Sequence, residues 1–323
     1  MALRDLVSAI RSYKGVQRKR AIRPVALDLL AVPKGRVMAT HGEDAAVIQL
    51  GREILLMAAD GIMEDLVRSN PRWAGYCAVL VNVNDIAAMG GVPIAMVNVL
   101  SCPEERIRRE IVKGIKEACE KFSVPMVGGH LHPDSSYSAV DVAVLGRTDR
   151  THLILSSGAS KGDVVVFAMD LDGEFTEGIP YSWDTTSRKN KAVIQRQLKA
   201  MMRVAPYVTA GKDISNPGSL GSLGMLLEAS RKGAVVDIDR IPKPEGVDLV
   251  QWLTAYQGCG FVVTARHGKE QQVLQEFARA GIEADVCGTV KPGSALEVLL
   301  GDESEILFDF SRETLGCAPP QKI

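Results

Sequence analysis

Residues 73–89, WAGYCAVLVNVNDIAAM, constrain this chain more than any other stretch: the run is long, rich in Ala and Val, and closed by Gly90-Gly91, the usual punctuation of a helix end. A helix with so little polar surface has to be buried. Strands flank it. AAVIQL at 45–50 and EILLMAAD at 53–60, separated by Gly51-Arg52, predict a hairpin that ends in an acid, Asp60. IAMVNVL at 94–100 reads as a strand, 105–122 as an amphipathic helix, 124–129 as a short strand and 139–148 as a strand, so the first half alternates β and α. Ahead of these, residues 3–12 and 17–31 carry apolar residues at helical spacing, with Pro24 marking a start or a kink.

A turn-rich stretch, SSGASKGD at 156–163, precedes the apolar run VVVFAM at 164–169 and places a boundary near 150–160. The second half then reads as a polar loop (171–188), helices at 189–203 and within 220–233, strands at 234–239 and 260–266, a helix at 269–281, and strands at 283–290 and 296–300. The expected fold is α/β (α+β) with two domains, 1–150 and 151–323, and a length of 323 residues suits that division. Lys plus Arg number 38 against 39 Asp plus Glu, so no field of one sign directs the chain to nucleic acid or an acidic membrane. No apolar run approaches a membrane span, and the opening MALRDLVSAIRSYKG lacks the apolar core of an export signal. Cys77, Cys102, Cys119, Cys259, Cys287 and Cys317 are scattered singly, which fits reduced thiols in a cytoplasm.

The chemistry-bearing feature is a set of acids at the ends of apolar segments. Glu43 and Asp44 precede a strand in HGEDAAV, Asp60 ends the next strand, and Asp85 sits inside the buried helix, three residues after Asn82. Carboxylates in apolar surroundings are costly unless a cation or donors satisfy them, and hard oxygen ligands suit Mg²⁺, which pairs one or two carboxylates with nucleotide phosphates. Taken singly each acid has an ordinary structural explanation: Asp44 as a turn residue, Asp60 as a strand-end cap, Asp85 as the partner of a neighbouring base.

Two glycine-containing stretches add candidates. In VPMVGGHLHPD (124–134), Gly128-Gly129 allow close backbone approach to a ligand, and His130, His132 and Asp134 follow on an expected loop. Two histidines without a third ligand favour hydrogen-bonding or phosphate contact over zinc. In AGKDISNPGSLGSLGMLLE (210–228), Asp213, Ser215 and Asn216 stand before a helix start, where N–H groups can meet an anion or where plain helix capping would serve. Cys317, in the tail LGCAPPQKI, reads as an exposed thiol with nothing nearby to activate it. Trp183 and Trp252 read equally as packing anchors or ligand stackers.

Taken in order, GEDAAV (42–47), AAD (58–60), VNVNDIAAMGGVP (81–93), VGGH (127–130), KDISNPG (212–218) and IDRIP (238–242) resemble the aminoimidazole-ribonucleotide synthetase-related, or PurM-like, superfamily. The superfamily includes thiamine-monophosphate kinase, selenophosphate synthetase and the hydrogenase-maturation carbamoyl dehydratase. Closer phrases, such as SWDTT and PKPEGVDLVQWL, resemble the methanogenesis marker protein 2 family. The resemblance implies a two-domain subunit whose N-terminal domains pair as a homodimer through a shared β barrel, with ATP and Mg²⁺ between the N-terminal acids and the C-terminal α/β domain. It implies metal ligation by Asp44, Asp60, Asp85 and Asp213, and nucleotide contacts from Gly128, Gly129, Ser215 and Asn216. It implies catalytic roles for Asp85 and His130.

The departures matter equally. His130 and Asn216 stand where kinase and synthetase relatives carry Asp, which thins the anionic set. AYQGCGFVV lacks the substrate loop of the thiamine kinase, and the N-terminal catalytic Cys and Lys of selenophosphate synthetase have no counterpart. The expected activity is ATP- and Mg²⁺-dependent phosphoryl transfer that activates a small molecule or a protein-bound group in biosynthesis or cofactor maturation. The alternative is a nucleotide-binding assembly factor that is non-catalytic or works only with a partner.

Overall fold

The computed structural model describes residues 1–29, 35–39, 41–258 and 260–317. Three helices open the chain, α1 (Leu3–Ser12), α2 (Lys14–Lys19) and α3 (Ile22–Leu29), followed by β1 (Val37–Ala39), β2 (Ala46–Leu50) and β3 (Glu53–Gly61). Then come α4 (Glu64–Ser69), α5 (Pro71–Ala88), β4 (Val92–Ser101), α6 (Glu105–Phe122), β5 (Met126–His132) and β6 (Ala139–Thr148). The second half holds β7 (Val164–Met169), β8 (Glu174–Phe175), β9 (Trp183–Asp184), α7 (Lys191–Leu198), α8 (Ala200–Val204), β10 (Val208–Asp213) and α9 (Gly218–Ser230). It ends with β11 (Gly233–Asp237), α10 (Leu249–Thr254), β12 (Gly260–Ala265), α11 (Glu270–Ala280), β13 (Glu283–Lys291), β14 (Ala295–Leu300) and β15 (Glu303–Asp309).

The first sheet has the order β1-β2-β3-β6-β4-β5 and is antiparallel except for the β4–β5 pair, which α6 connects. The β2–β3 hairpin forms as the sequence predicts, with Gly51 at φ +63° in its turn. The second sheet has the order β10-β12-β7-β13-β11-β14-β15. Strand β7 lies inside it and is buried along its whole length: Val164, Val166 and Ala168 enter one core, and Val165, Phe167 and Met169 the other. That burial on both faces explains why VVVFAM is a continuous apolar run without alternation. The opening helices pack into the second core: Leu3, Leu6, Ile10 and Val16 join Phe167 and Phe308, and Arg11 pairs with Glu313.

Helix α5 is the centre of the first core. Asn70 caps it by accepting from the Trp73 amide at 3.1 Å, Pro71 occupies its first turn, and 15 of its 18 residues are buried. It crosses α6 at backbone contact, because a Cβ on Gly114 would come within 1.8 Å of the Arg72 carbonyl and one on Gly75 within 2.1 Å of the Ile111 carbonyl. Backbone cannot yield as a side-chain tip can. Gly114→Ala is therefore expected to cost about 2 kcal/mol or more, read as a lowered denaturant midpoint; an unchanged midpoint would show that the helices separate freely.

Several sequence expectations shift here. Strand β5 extends through His132, so His130 and His132 lie on an edge strand and not on a loop. Residues 210–213, expected as part of a polar approach to a helix, lie in β10. The tail thiol is not exposed: Cys317 is 4% accessible. Cys259 lies outside the described residues. Trp183 and Trp252 are packing anchors, set edge to face at 5.2 Å with both indole N–H groups bonded to backbone carbonyls. No helix among the described residues is long and apolar enough to cross a membrane.

Candidate functional site

Four segments bring acids to one cavity of about 250 Å³. The loop before β2 carries Asp44, the end of β3 carries Asp60, the last turn of α5 carries Asp85, and the end of β10 carries Asp213. Carboxylate oxygens of Asp44, Asp85 and Asp213 all lie within 4.8 Å of one another. Asp60 stands beside Asp85 and accepts a hydrogen bond from its protonated carboxyl. These acids come from both halves of the chain, so the cavity lies between the two sheets' domains.

Burial and mutual repulsion shape their protonation. Burial, reinforced by Asp60, Asp213 and Asp44, pushes Asp85 well above the usual carboxylate range. Burial and the Asp44 charge push Asp213 up to about 8. Burial also raises Asp44, with Lys212 working against it. The Lys212 ammonium donates to Asp44 Oδ1, and the Asp213 amide approaches Asp44 Oδ2 at 3.3 Å. Burial opposes the Lys212 charge, but Asp44 and Asp213 outweigh it and hold this lysine above its ordinary pKa.

Supports behind the acids fix their loop. Glu43 turns away from the cluster to accept from the Ser156 amide and, at 2.7 Å, from Ser157 Oγ; burial raises its pKa while both donors lower it. Ser156 and Ala159 are in turn tied to Ser230 Oγ at the end of α9. Buried Glu228 on the same helix accepts from Thr314 Oγ1, Leu315 N and Cys317 N. That strap passes close enough to Gly42 that a Cβ there would meet the Cys317 carbonyl at 2.8 Å. Burial pushes the Cys317 thiol up to about 11, so it is a packed residue and a poor nucleophile at neutral pH.

Ser215 and Asn216 line the cavity as the sequence suggested, although the Ser215 amide is already given to Ser222 Oγ at 3.0 Å. Gly128, Gly129 and His130 do not line it in the single chain; they stand on β5, with Gly129 beside Asn98 and His130 beside Val99 of β4. The His130 and His132 rings are 4.5 Å apart. Among the charged and amide side chains that line the cavity, sequence reasoning missed Arg18 and Lys19 at the end of α2, Asn84, Lys212 and Gln257. Lys212 gave a signal, since a lysine beside an acid at a strand end has to be exposed or paired. Gln257 gave none, because its left-handed backbone (φ +77°) is visible only in the structure.

The donor set fits a hard divalent cation. Three carboxylates, Asp44, Asp85 and Asp213, bring oxygens within 4.8 Å of one another, and carboxylate oxygens are the ligands such a cation prefers. A cation there would also relieve the repulsion that raises Asp85 and Asp213.

The fold and site define an ancestry. Residues 42–148 match the AIR synthase related protein, N-terminal domain, and residues 160–301 match the AIR synthase related protein, C-terminal domain. A protein of Methanocaldococcus jannaschii is 42% identical over 98% of this chain and 100% of its own length. One of Synechocystis is 37% identical over 85% of both. The thiamine-monophosphate kinase of Pyrococcus horikoshii is 30% identical over 64% of this chain and 69% of that protein. Among solved structures, T. maritima PurL complexed with ADP superposes with a TM-score of 0.74 at 18% identity, covering 96% of this chain and 52% of PurL. This chain therefore belongs to the AIR synthase related proteins, and it has their two-domain PurM-like α/β fold.

Proposed function

We propose that this protein binds ATP with Mg²⁺ in the acid-lined cavity and transfers a phosphoryl group to activate a small molecule or a protein-bound group in a biosynthetic or cofactor-maturation step. The observation that carries the reading is the convergence of Asp44, Asp60, Asp85 and Asp213 from both domains on one cavity. The names of relatives support it: one is a thiamine-monophosphate kinase, and one structural neighbour was solved with ADP. The resemblance to the methanogenesis marker family favours a role linked to methanogenesis.

The acids would hold Mg²⁺, which supplies charge neutralisation of the phosphate oxygens. Arg18 and Lys19, which carry no ion pair among the described residues, line the cavity and would take phosphate oxygens. Ser215 and Asn216 would orient the nucleotide. The first sheet presents Met57 (55% accessible), Val97 (45%), Val99 (44%) and Leu145 (37%) as exposed apolar residues. Paired register puts Met57 opposite Leu145, on the face away from α5, where a second copy of the chain would cover them and complete the shared barrel. In that homodimer the exposed Gly128, Gly129 and His130 would contribute nucleotide and catalytic contacts. Sedimentation of the protein is expected to give a dimer, and Val99→Asp a monomer with weakened nucleotide binding; a monomeric wild type would remove the β5 residues from the site.

A second reading, a partner-dependent or non-catalytic nucleotide-binding assembly factor, is favoured by the loss of Asp44's free charge to Lys212. Calorimetry with ATP, with and without Mg²⁺, tests both. Binding in neither condition removes the nucleotide reading, whereas Mg²⁺-dependent binding without turnover, restored by a partner, selects the assembly factor.

A further inference from the structure

The acid cavity contains a cation of its own. Lys212 is 2% accessible, its ammonium donates to Asp44 Oδ1, and Asp213 is the other carboxylate close to it. The Asp213 amide takes Asp44 Oδ2 at 3.3 Å, so both oxygens of Asp44 are engaged before any ligand arrives. Asp85 and Asp213 differ: neither forms an ion pair with a basic side chain among the described residues, their oxygens lie within 4.8 Å of each other and of Asp44, and Asp60 lines the same cavity. The cavity thus holds an asymmetric set, one carboxylate with a fixed partner and three awaiting a counter-charge.

We propose that Lys212 takes the place of one divalent cation, so that the site holds a single metal ion on Asp60, Asp85 and Asp213 while Asp44 serves as the lysine's counter-ion. The inference rests on the Mg²⁺–nucleotide reading of the cavity. A buried ammonium is a compact fixed charge with three donors. It neutralises one carboxylate permanently, and the metal demand of the cavity falls by one ion. The sequence around it, AGKDIS, supplies this charge from the strand that also supplies Asp213, so one element delivers both a metal ligand and the substitute for a metal. Removing only the lysine would leave Asp44 buried without its counter-charge, a position that a cation can fill.

The test counts Mn²⁺ bound per chain by electron paramagnetic resonance at saturating non-hydrolysable ATP analogue. Wild type is expected to bind one ion, Lys212→Met two, and the Asp44→Asn/Lys212→Met double variant one again, because it removes both members of the pair. Lys212→Arg, which keeps the charge, should also bind one. Without nucleotide, Mn²⁺ should raise the melting temperature of Lys212→Met more than that of wild type. Should Lys212→Met fold only when Mn²⁺ is present, that recovery supports the proposal; recovery by no divalent ion counts against it. Two ions in wild type, or one in Lys212→Met, overturns the assignment of Lys212 and leaves the nucleotide reading standing. No ion and no nucleotide on any variant overturns both.

Discussion

Asp85→Asn is expected to weaken Mg²⁺-dependent nucleotide binding about 100-fold or more, some 2.7 kcal/mol, while the metal-free protein becomes more stable. Both halves of this result come from one geometry. Asp85 is 8% accessible at the end of a helix that is otherwise packed, and it meets Asp60, Asp213 and Asp44 without a basic partner of its own. Burying this carboxyl among other acids therefore costs the empty protein stability, and in the loaded protein it gives up its proton to become a metal ligand. Asn has nearly the same shape, so packing of α5 is retained. Isothermal calorimetry reads the first half and thermal melting in EDTA the second. A variant that binds as wild type does, or that melts lower without metal, would mean Asp85 is a structural acid.

The pH dependence should run opposite to that of most proteins in the mildly acidic range. Asp213 keeps its proton in the folded chain up to about 8, whereas an unfolded Asp releases it near 3.9. Between those values the native state binds more protons than the unfolded one, so stability is fully present below about pH 4 and is lost as pH rises toward 8. Asp85 and Asp44 are shifted in the same direction and add to the slope. The loss is on the order of a few kcal/mol. Urea midpoints measured in EDTA at pH 5 and pH 8 should show it, and Asp213→Asn should flatten the difference. Saturating Mg²⁺ should flatten it as well, because metal ligation displaces the same protons. A midpoint that is level or rises over this window would show that these carboxylates are not held protonated by their surroundings.

Much of the fold is legible in the sequence because the relevant patterns are local. The apolar run of α5, the Gly51-Arg52 turn and the unalternating β7 each declare themselves within one short continuous stretch of sequence. What escapes is set by partners far away along the chain. Strand β10 contains Gly211, Lys212 and Asp213, a sequence that resembles a loop, and it is a strand because β12 pairs with it. The reach of β5 through His132 likewise depends on β4, since Gly128-Gly129 lower the strand signal locally. Strand β15, ESEILFD, forms the sheet edge by pairing with β14, its apolar run being only Ile306-Leu307-Phe308.

The site divides in the same way. The acids were identifiable from their position at element ends, but the pairing of Asp44 with Lys212 joins residues 168 apart and no pattern forecasts it. Glu43 shows the opposite limit. It stands next to Asp44 in the same motif, yet its side chain serves Ser156 and Ser157, so adjacency in sequence does not give a shared role.

The central claim is that carboxylates from both domains grip one nucleotide-bound cation. The decisive measurement is a crystal structure of the protein with a non-hydrolysable ATP analogue and Mn²⁺, located by anomalous scattering. A manganese peak on the carboxylates of Asp60, Asp85 and Asp213, next to the nucleotide phosphates, is expected. Nucleotide bound elsewhere, or phosphates in this cavity with no metal on those three residues, would contradict it.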